Sequence, residues 1–440
     1  MFTKKDLSRL IVPLIIEQLL AVTIGLADTL MVSSVGEAAV SGVSTVDTIN
    51  ILLINIFSAL ATGGSIVAAQ HLGKDDTENA GMVAKQLIYA VAAISVVVMG
   101  ICLLMGTPLL HGIFGNLEPS VMETCRVYFF WSALSYPFIA IYNAGAALFR
   151  SMGNSKVSMF TSLVMNIINV SGNAIFIFVF QWGVAGAAIA SLISRCIGSI
   201  IVIVLLKNQE NRIHIEDLLR FEWHPHTIKQ ILGLGIPNGL ENGMFQIGKI
   251  LVQGLVASFG TAAIAANAVA NSVGTCSSIP GSAIGLALIT VVGQCVGAGD
   301  YAAAKRYTFK LVGIAFALIM TINVCLYFST PFLTGLYGLP PQTTQLAQQL
   351  LYSYFALCVF WPFAFPLPNG LRAAGDVKFT MAVSIFSMWV FRVGFSYLLG
   401  RYFGLGVLGV WIGMYIDWIF RGIAFVLRLA GSRWHNKAVV

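Results

Sequence analysis

Charged residues are scarce in this sequence: Asp, Glu, Lys and Arg together make up 10% of its 440 residues. Because soluble domains carry about 25% charged residues, this composition excludes a soluble protein and leaves no room for a large domain outside a membrane. Apolar residues make up 58% of the chain, which is enough for about twelve membrane spans of roughly 20 residues each. The net charge of +7 therefore indicates membrane orientation rather than nucleic-acid binding.

Paired cysteines and clustered histidines are also lacking. The seven cysteines are widely spaced and form no C-x-x-C pattern. The six histidines lie in loops or near the ends of apolar segments and form no H-E-x-x-H helix. Such patterns are typical of disulfide frameworks, zinc sites and metallo-enzymes. The sequence therefore predicts a protein that is not an enzyme and that uses no cofactor.

Long apolar segments separated by short polar breaks predict an all-α integral membrane protein with twelve transmembrane helices. The predicted spans cover about residues 10–32, 44–70, 80–107, 120–147, 157–180, 184–206, 230–258, 267–293, 305–328, 343–370, 376–400 and 405–430. With a cytoplasmic N-terminus, the outer connections contain Arg401 and no other Lys or Arg. Positive residues are retained on the cytoplasmic side, so we expect both termini in the cytoplasm and the chain in the inner (plasma) membrane.

The sequence is internally duplicated. A shift of 224 residues superposes, among others, Pro13 on Pro237, Glu17 on Glu241, Gly36 on Gly260 and Asp76 on Asp300, and the match resumes at a shift of 222 with Arg150 on Arg372. We predict an N-terminal six-helix lobe (1–206), a solvated cytoplasmic linker (207–229) and a C-terminal six-helix lobe (230–440). Each half has an even number of spans, so a pseudo-two-fold axis along the membrane normal should relate the lobes, with a substrate cleft between them.

Several short motifs follow one another along the chain in a characteristic order. They are Ala27-Asp28-Thr29-Leu30-Met31, the segment 67–73 (VAAQHLG), the segment 150–156 (RSMGNSK), Asn169-x-x-x-Asn173 and the segment 183–189 (GVAGAAI). In these motifs and their spacing, essentially the whole chain resembles the multidrug and toxic compound extrusion (MATE) family of cation-coupled exporters. The resemblance implies antiport of small organic, often cationic, compounds against H+ or Na+ by alternating access. The bilayer is the other expected partner, and no obligatory protein partner is evident.

Acidic residues inside the spans are the first candidates for cation coupling, because an ionisable group in a bilayer costs about 2.5–3.5 kcal/mol. Asp28 lies eleven residues after Glu17 in the first span, which places both on one helix face, about 20° apart. In the family, the residue that matches Asp28 is the cation-sensitive carboxylate of the N-terminal lobe. Glu17 and Glu241 each follow an equivalent proline by four residues, so either a structural role, such as bonding backbone groups freed by that proline, or a cation role is open for them.

Asn169 and Asn173 lie one helical turn apart in the fifth predicted span. Many relatives have Asp at the position of Asn173, so this chain lacks one of the family's negative charges. A dehydrated sodium ion requires several hard oxygen ligands, whereas a proton requires one carboxyl group. We therefore prefer the proton as the coupling ion and keep sodium as the alternative.

Basic residues inside the spans also require a partner or a wet cavity. Lys249 and Arg392 in the C-terminal lobe and Arg195 in the N-terminal lobe are candidates for the substrate cleft. These residues would suit an alternative function, a flippase for lipid-linked anionic precursors, because such side chains bind pyrophosphate. The count of twelve spans and the first-span Asp favour the exporter. Asp417 and Arg421 are four residues apart, which predicts a local ion pair.

Overall fold

The computed structural model describes residues 2–440 and contains helices and no strand in that range, which confirms the predicted all-α class. Every predicted membrane span coincides with one long helix or a run of consecutive helical segments. The α-helices are α1 (Lys4–Ser33), α2 (Glu37–Gly73), α3 (Thr77–Leu104), α4 (Gly106–Phe114), α5 (Pro119–Leu134), α6 (Tyr136–Ser151), α7 (Ser155–Ala174), α8 (Gly183–Leu206), α9 (Pro225–Ala257), α10 (Thr261–Gly297), α11 (Tyr301–Gly335), α12 (Pro341–Leu357), α13 (Trp361–Ala364), α14 (Leu367–Ala373), α15 (Val377–Ser387), α16 (Phe395–Tyr397) and α17 (Val407–Ala430). Three π-helical segments (Ile175–Val179, Met388–Gly394 and Leu398–Tyr402) and two 3-10 turns (Cys358–Phe360 and His435–Lys437) complete the list.

Ten helical segments within residues 2–440 are long and apolar enough to cross a membrane. The two remaining predicted spans differ from these ten in recognisable ways. The fourth span is divided at Ser135 into α5 and α6, each of 16 residues. The seventh span lies on α9, which carries three charged side chains, those of Lys229, Glu241 and Lys249.

The two halves repeat details of local structure. Gly36 and Gly260, which are equivalent in the repeat, precede α2 and α10 with φ angles of 139° and 103°. Side chains other than glycine rarely adopt such angles, which explains why both halves have glycine here. Asp76 and Asp300 cap α3 and α11, where their Oδ1 atoms accept hydrogen bonds from backbone N–H groups at 3.1 Å and 2.8 Å. The duplicated residues therefore occupy the same structural positions in both halves.

Backbone contacts divide the chain into two units, of which the first ends at Gly239 and the second begins at Leu240. Residues 207–224 form no helix but are bound to α3 of the first unit. The Tyr89 hydroxyl donates to the carbonyl oxygen of Leu218 at 2.7 Å, and Gln86 Nε2 donates to that of Glu222 at 2.5 Å. Ile213 is fully buried. Most residues of the segment are nevertheless exposed, among them Leu219, Phe221 and Trp223. The solvated connector therefore stays a prediction, to which the structure adds specific contacts with α3. The proposed lobe boundaries stay a prediction.

Glycine allows close backbone approach within each unit. A Cβ atom at Gly235 would lie 3.1 Å from the Cα atom of Leu60 in the first unit. A Cβ atom at Gly409 would lie 2.6 Å from the backbone carbon of Leu399 in the second. Membrane helices associate closely through small residues of this kind.

Candidate functional site

The first unit contains a cavity of about 110 Å³ that has two carboxylates in its wall, those of Asp28 on α1 and Asp47 on α2. A water molecule requires roughly 10–15 Å³ of such space, so the cavity has room for several waters or for a hydrated cation. The other polar residues of the wall are Thr29, Ser44, Tyr128, Asn173 and Ser191. The polar side chains that line this cavity therefore carry mainly oxygen atoms.

Asp28 and Asn173, which the sequence analysis selected together, are in direct contact. Asn173 Nδ2 donates a hydrogen bond to Asp28 Oδ1 at 2.6 Å. The Oδ1 atom of Asn173 is buried and accepts no hydrogen bond from any residue between 2 and 440. A buried amide oxygen without a donor is unfavourable, and a proton-bearing group or a cation in the cavity would satisfy it.

Asp47 is the functional candidate that the sequence analysis missed. Its Oδ1 atom accepts hydrogen bonds from Asn50 Nδ2 at 3.1 Å and from the Tyr128 hydroxyl at 3.2 Å. The Tyr136 hydroxyl donates to Asn50 Oδ1 at 2.7 Å and so orients that amide. Asp47 lies inside the second predicted span, so the cost of an intramembrane charge was a sufficient signal to single it out. That it faces the same cavity as Asp28 depends on helix packing and could not be predicted.

The two carboxylates define what the cavity can do chemically. Like charges that share one site disfavour simultaneous ionisation, and burial favours the neutral form of a carboxyl group. Asp47 has two hydrogen-bond donors, whereas Asn173 is the one donor that contacts Asp28 within the described residues. Donors stabilise the charged form of a carboxyl group, so the charged form of Asp47 has more support from its neighbours than that of Asp28.

Asn169 and Arg195 lie beside the cavity rather than in its wall. Asn169 Nδ2 contacts Ser191 Oγ at 3.3 Å, and Ser191 does line the cavity. Arg195 Nη1 donates to Ser135 Oγ at 2.6 Å, so its guanidinium has a hydrogen-bond partner inside the first unit. The roles predicted for Asn169 in cation coupling and for Arg195 in substrate binding stay predictions.

Glu17 and Glu241 are paired with equivalent arginines. Glu17 Oε1 lies 3.2 Å from Arg150 Nη1, and Glu241 Oε1 lies 2.5 Å from Arg372 Nη2. Each glutamate therefore has an arginine side chain as its partner, so an ion pair takes the place of the backbone contact given as an example of a structural role. Of the two roles left open, this arrangement favours the structural one. A cation-coupling role for either glutamate stays a prediction.

The second unit brings Lys249 and Arg392 to one cavity of about 60 Å³. The ion pair predicted between Asp417 and Arg421 is present, with Arg421 Nε 2.8 Å from Asp417 Oδ1. Arg392 Nη1 is 3.8 Å from the other oxygen of the same carboxylate. The predicted place of Lys249 and Arg392 in a cleft between the lobes stays a prediction.

The family model for MatE matches the chain twice, over residues 13–175 and over residues 237–398. The chain belongs to the MatE family. The two matches to MatE begin 224 residues apart, which is the shift of the internal repeat. The resemblance predicted from the motifs is thereby confirmed.

The chain is similar over nearly its whole length to other MatE transporters. The uncharacterized transporter YisQ of Bacillus subtilis (strain 168) is 29% identical over 434 residues, covering 97% of this chain and 94% of that protein. A probable multidrug resistance protein NorM of Thermotoga maritima is 25% identical over 453 residues, covering 99% and 94%. The solved outward-facing structure of a multidrug resistance MATE family transporter has a TM-score of 0.90 at 22% identity, covering 97% of this chain and 96% of that one.

These similarities establish a multi-pass membrane transporter with the MATE fold of twelve helices in two lobes, as predicted. MatE proteins are multidrug efflux transporters rather than enzymes. The similarities do not favour the alternative of a flippase for lipid-linked precursors.

Proposed function

We propose that this MatE protein is a proton-coupled antiporter that exports organic, often cationic, compounds by alternating access. The observation that carries the proposal is that Asp28 and Asp47 line one cavity in the first unit, with Asn173 hydrogen-bonded to Asp28. Similarity to proteins described as multidrug resistance proteins supports organic compounds as the exported substrates.

The proton is preferred over sodium because its binding requires a single carboxyl group. Protonation of Asp28 removes the repulsion between the two carboxylates, and it requires no further ligand. Sodium would require several oxygen ligands at once. Such oxygen atoms are present on Asp47, Ser44 and Thr29 and on the Oδ1 atom of Asn173, which has no donor among residues 2–440. Sodium is therefore the alternative, and transport driven by one gradient at a time distinguishes it from the proton.

Coupling requires that protonation of the cavity and occupancy by substrate disfavour each other. The linkage is reciprocal, so the factor by which a proton lowers substrate affinity is the factor by which substrate lowers proton affinity. An inflowing proton on Asp28 then releases substrate, and loss of that proton on the cytoplasmic side restores substrate binding. No cofactor takes part in this cycle.

For the cellular setting, we propose the plasma membrane with both termini in the cytoplasm. The support is the distribution of Lys and Arg among the connections between spans, of which the outer ones contain Arg401 and no other Lys or Arg. Such residues remain on the cytoplasmic side during insertion.

The experiment is transport into liposomes that contain the purified protein, driven in turn by a pH gradient and by a sodium gradient of equal size. We expect the pH gradient alone to drive uptake of ethidium, a flat organic cation. Replacement of Asp47 by Asn should lower that rate by roughly tenfold, within the usual range of coupling energies, because the cavity loses the repulsion that proton binding relieves. Asp75→Asn is the matched control, since the Asp75 side chain is 90% exposed in a loop. Transport driven by sodium and indifferent to pH would contradict proton coupling.

A further inference from the structure

The cavity of the second unit has a basic wall. Lys249 and Arg392 supply two positive charges, and Gln253, Asn267 and Asn271 supply neutral amides, whereas no Asp or Glu among the described residues belongs to the wall. The volume of about 60 Å³ is room for a few waters or for a group of the size of a carboxylate.

The charge of Lys249 lacks a partner within residues 2–440. No ion pair or side-chain hydrogen bond joins its ammonium group to any of these residues. An unpaired ammonium group in a membrane span costs about 2.5–3.5 kcal/mol on insertion scales. An anion in the cavity would offset this cost, since Lys donates up to three hydrogen bonds and accepts none.

The guanidinium group of Arg392 shares the Asp417 carboxylate with Arg421. Its Nη1 atom lies 3.8 Å from Asp417 Oδ2, beyond hydrogen-bond distance. The other oxygen of Asp417 already accepts from Arg421 Nε at 2.8 Å and from Ser387 Oγ at 2.5 Å. Among the described residues, the guanidinium groups of Arg392 and Arg421 therefore share the single carboxylate of Asp417. Arg392 belongs to the cavity wall, and its guanidinium carbon lies 5.3 Å from the centre of the Phe245 ring.

The internal repeat shows that the two cavities are the same site in two halves of the molecule. A shift of 224 residues places wall residues of the first cavity on wall residues of the second, namely Gly25 on Lys249, Asp28 on Val252 and Asp47 on Asn271. A shift of 223 does the same for Ala187 on Val410 and Ser191 on Met414. Neither acid has an acidic equivalent in the second cavity, and a lysine stands where the first cavity has a glycine. The duplicated site has therefore reversed its charge.

We propose that the cavity lined by Lys249 and Arg392 binds an oxyanion, either a carboxylate or a phosphate group. A guanidinium matches both groups geometrically through paired N–H donors, and the ammonium of Lys249 adds a point charge beside it. The site lies wholly in the second unit, and its existence does not depend on the coupling role of Asp28.

The test is isothermal titration of the detergent-purified chain with inorganic phosphate, acetate and chloride at constant ionic strength. We expect saturable binding of phosphate or acetate, with chloride weaker because it cannot engage paired donors. Lys249→Gln should lower the affinity by about tenfold, the equivalent of one charge-assisted hydrogen bond. Lys229→Gln is the matched control, because Lys229 is an exposed residue of the same helix α9.

Further experiments identify the source of the anion and test the role of each residue. Anionic phospholipid added to the micelles should compete with phosphate if a lipid headgroup occupies the site, and should have no effect if a free anion does. Arg392→Lys should retain more affinity than Arg392→Gln, and Asp28→Asn should bind the anion as the unaltered protein does. The proposal is overturned if neither phosphate nor acetate binds saturably, or if Lys249→Gln and Arg392→Gln, with unchanged circular dichroism, bind as the unaltered protein does.

Discussion

Asp28→Asn is expected to abolish export driven by a pH gradient. The amide has nearly the shape of the carboxyl group and still accepts a hydrogen bond from Asn173, but it neither gains nor loses a proton. Substrate affinity should therefore become independent of pH, with loss of a coupling factor of about 5- to 150-fold. The measurement is ethidium uptake into liposomes under an imposed pH gradient, together with equilibrium binding of ethidium at several pH values.

Two controls make this result specific to the cavity. Asp75→Asn makes the same chemical change in an exposed loop and should leave transport unchanged. Asp28→Glu retains a titratable group and should retain part of the gradient-driven rate. Gradient-driven transport by Asp28→Asn at the rate of the unaltered protein would remove Asp28 from the mechanism.

Asp417→Asn is expected to lower the stability of the second unit strongly. Asp417 is fully buried and is the carboxylate that faces both Arg421 and Arg392. Removal of one partner from a buried ion pair leaves an uncompensated charge and costs about 3–5 kcal/mol. We expect a correspondingly lower midpoint of thermal unfolding for the detergent-purified protein, measured by the loss of helical circular dichroism.

The double variant Asp417→Asn with Arg421→Gln provides the matching control. It removes the positive charge of Arg421, which Asp417→Asn leaves uncompensated, so it should recover part of the stability that Asp417→Asn loses. A midpoint for Asp417→Asn equal to that of the unaltered protein would show that Asp417 does not hold the two guanidinium groups.

The sequence predicts the helices of this protein well because membrane spans are long and nearly uncharged. The bounds of α1, for example, extend the predicted first span by only a few residues. Asp28 and Asn173 could be grouped because a characteristic order of motifs, carried over by resemblance, places them in one lobe. Their hydrogen bond at 2.6 Å agrees with that grouping.

The remaining parts of the site depend on side-chain packing that linear patterns do not encode. The spacing of Glu17 from Pro13 is compatible with a bond to backbone groups or to a cation. The position of Arg150, whose Nη1 atom lies 3.2 Å from Glu17 Oε1, is known only from the fold. Asp47 is separated from Asp28 by a turn and by part of two helices, so its place in the same cavity follows from how α1 and α2 pack. Once Asp47 is known, the repeat identifies Asn271 as its equivalent.

Duplication followed by divergence explains why the chain has two cavities of opposite charge. The glutamate–arginine pairs are retained in both units, at Glu17 with Arg150 and at Glu241 with Arg372. The cavity walls are not retained. Substitution of one residue of a buried ion pair leaves the charge of the other uncompensated, so such pairs tolerate little change. A cavity that holds water can be lined by residues of either charge. The proposed cation and oxyanion sites both lie where the halves differ.

Release of protons on substrate binding tests the central claim most directly. Ethidium is added to the purified protein in weakly buffered detergent solution, and the pH change is recorded with a dye, with and without sodium. We predict that each protein molecule releases close to one proton, that sodium leaves this release unchanged, and that Asp28→Asn releases none. Equal proton release from the Asp28→Asn protein, or substrate binding without any proton release, would contradict the account.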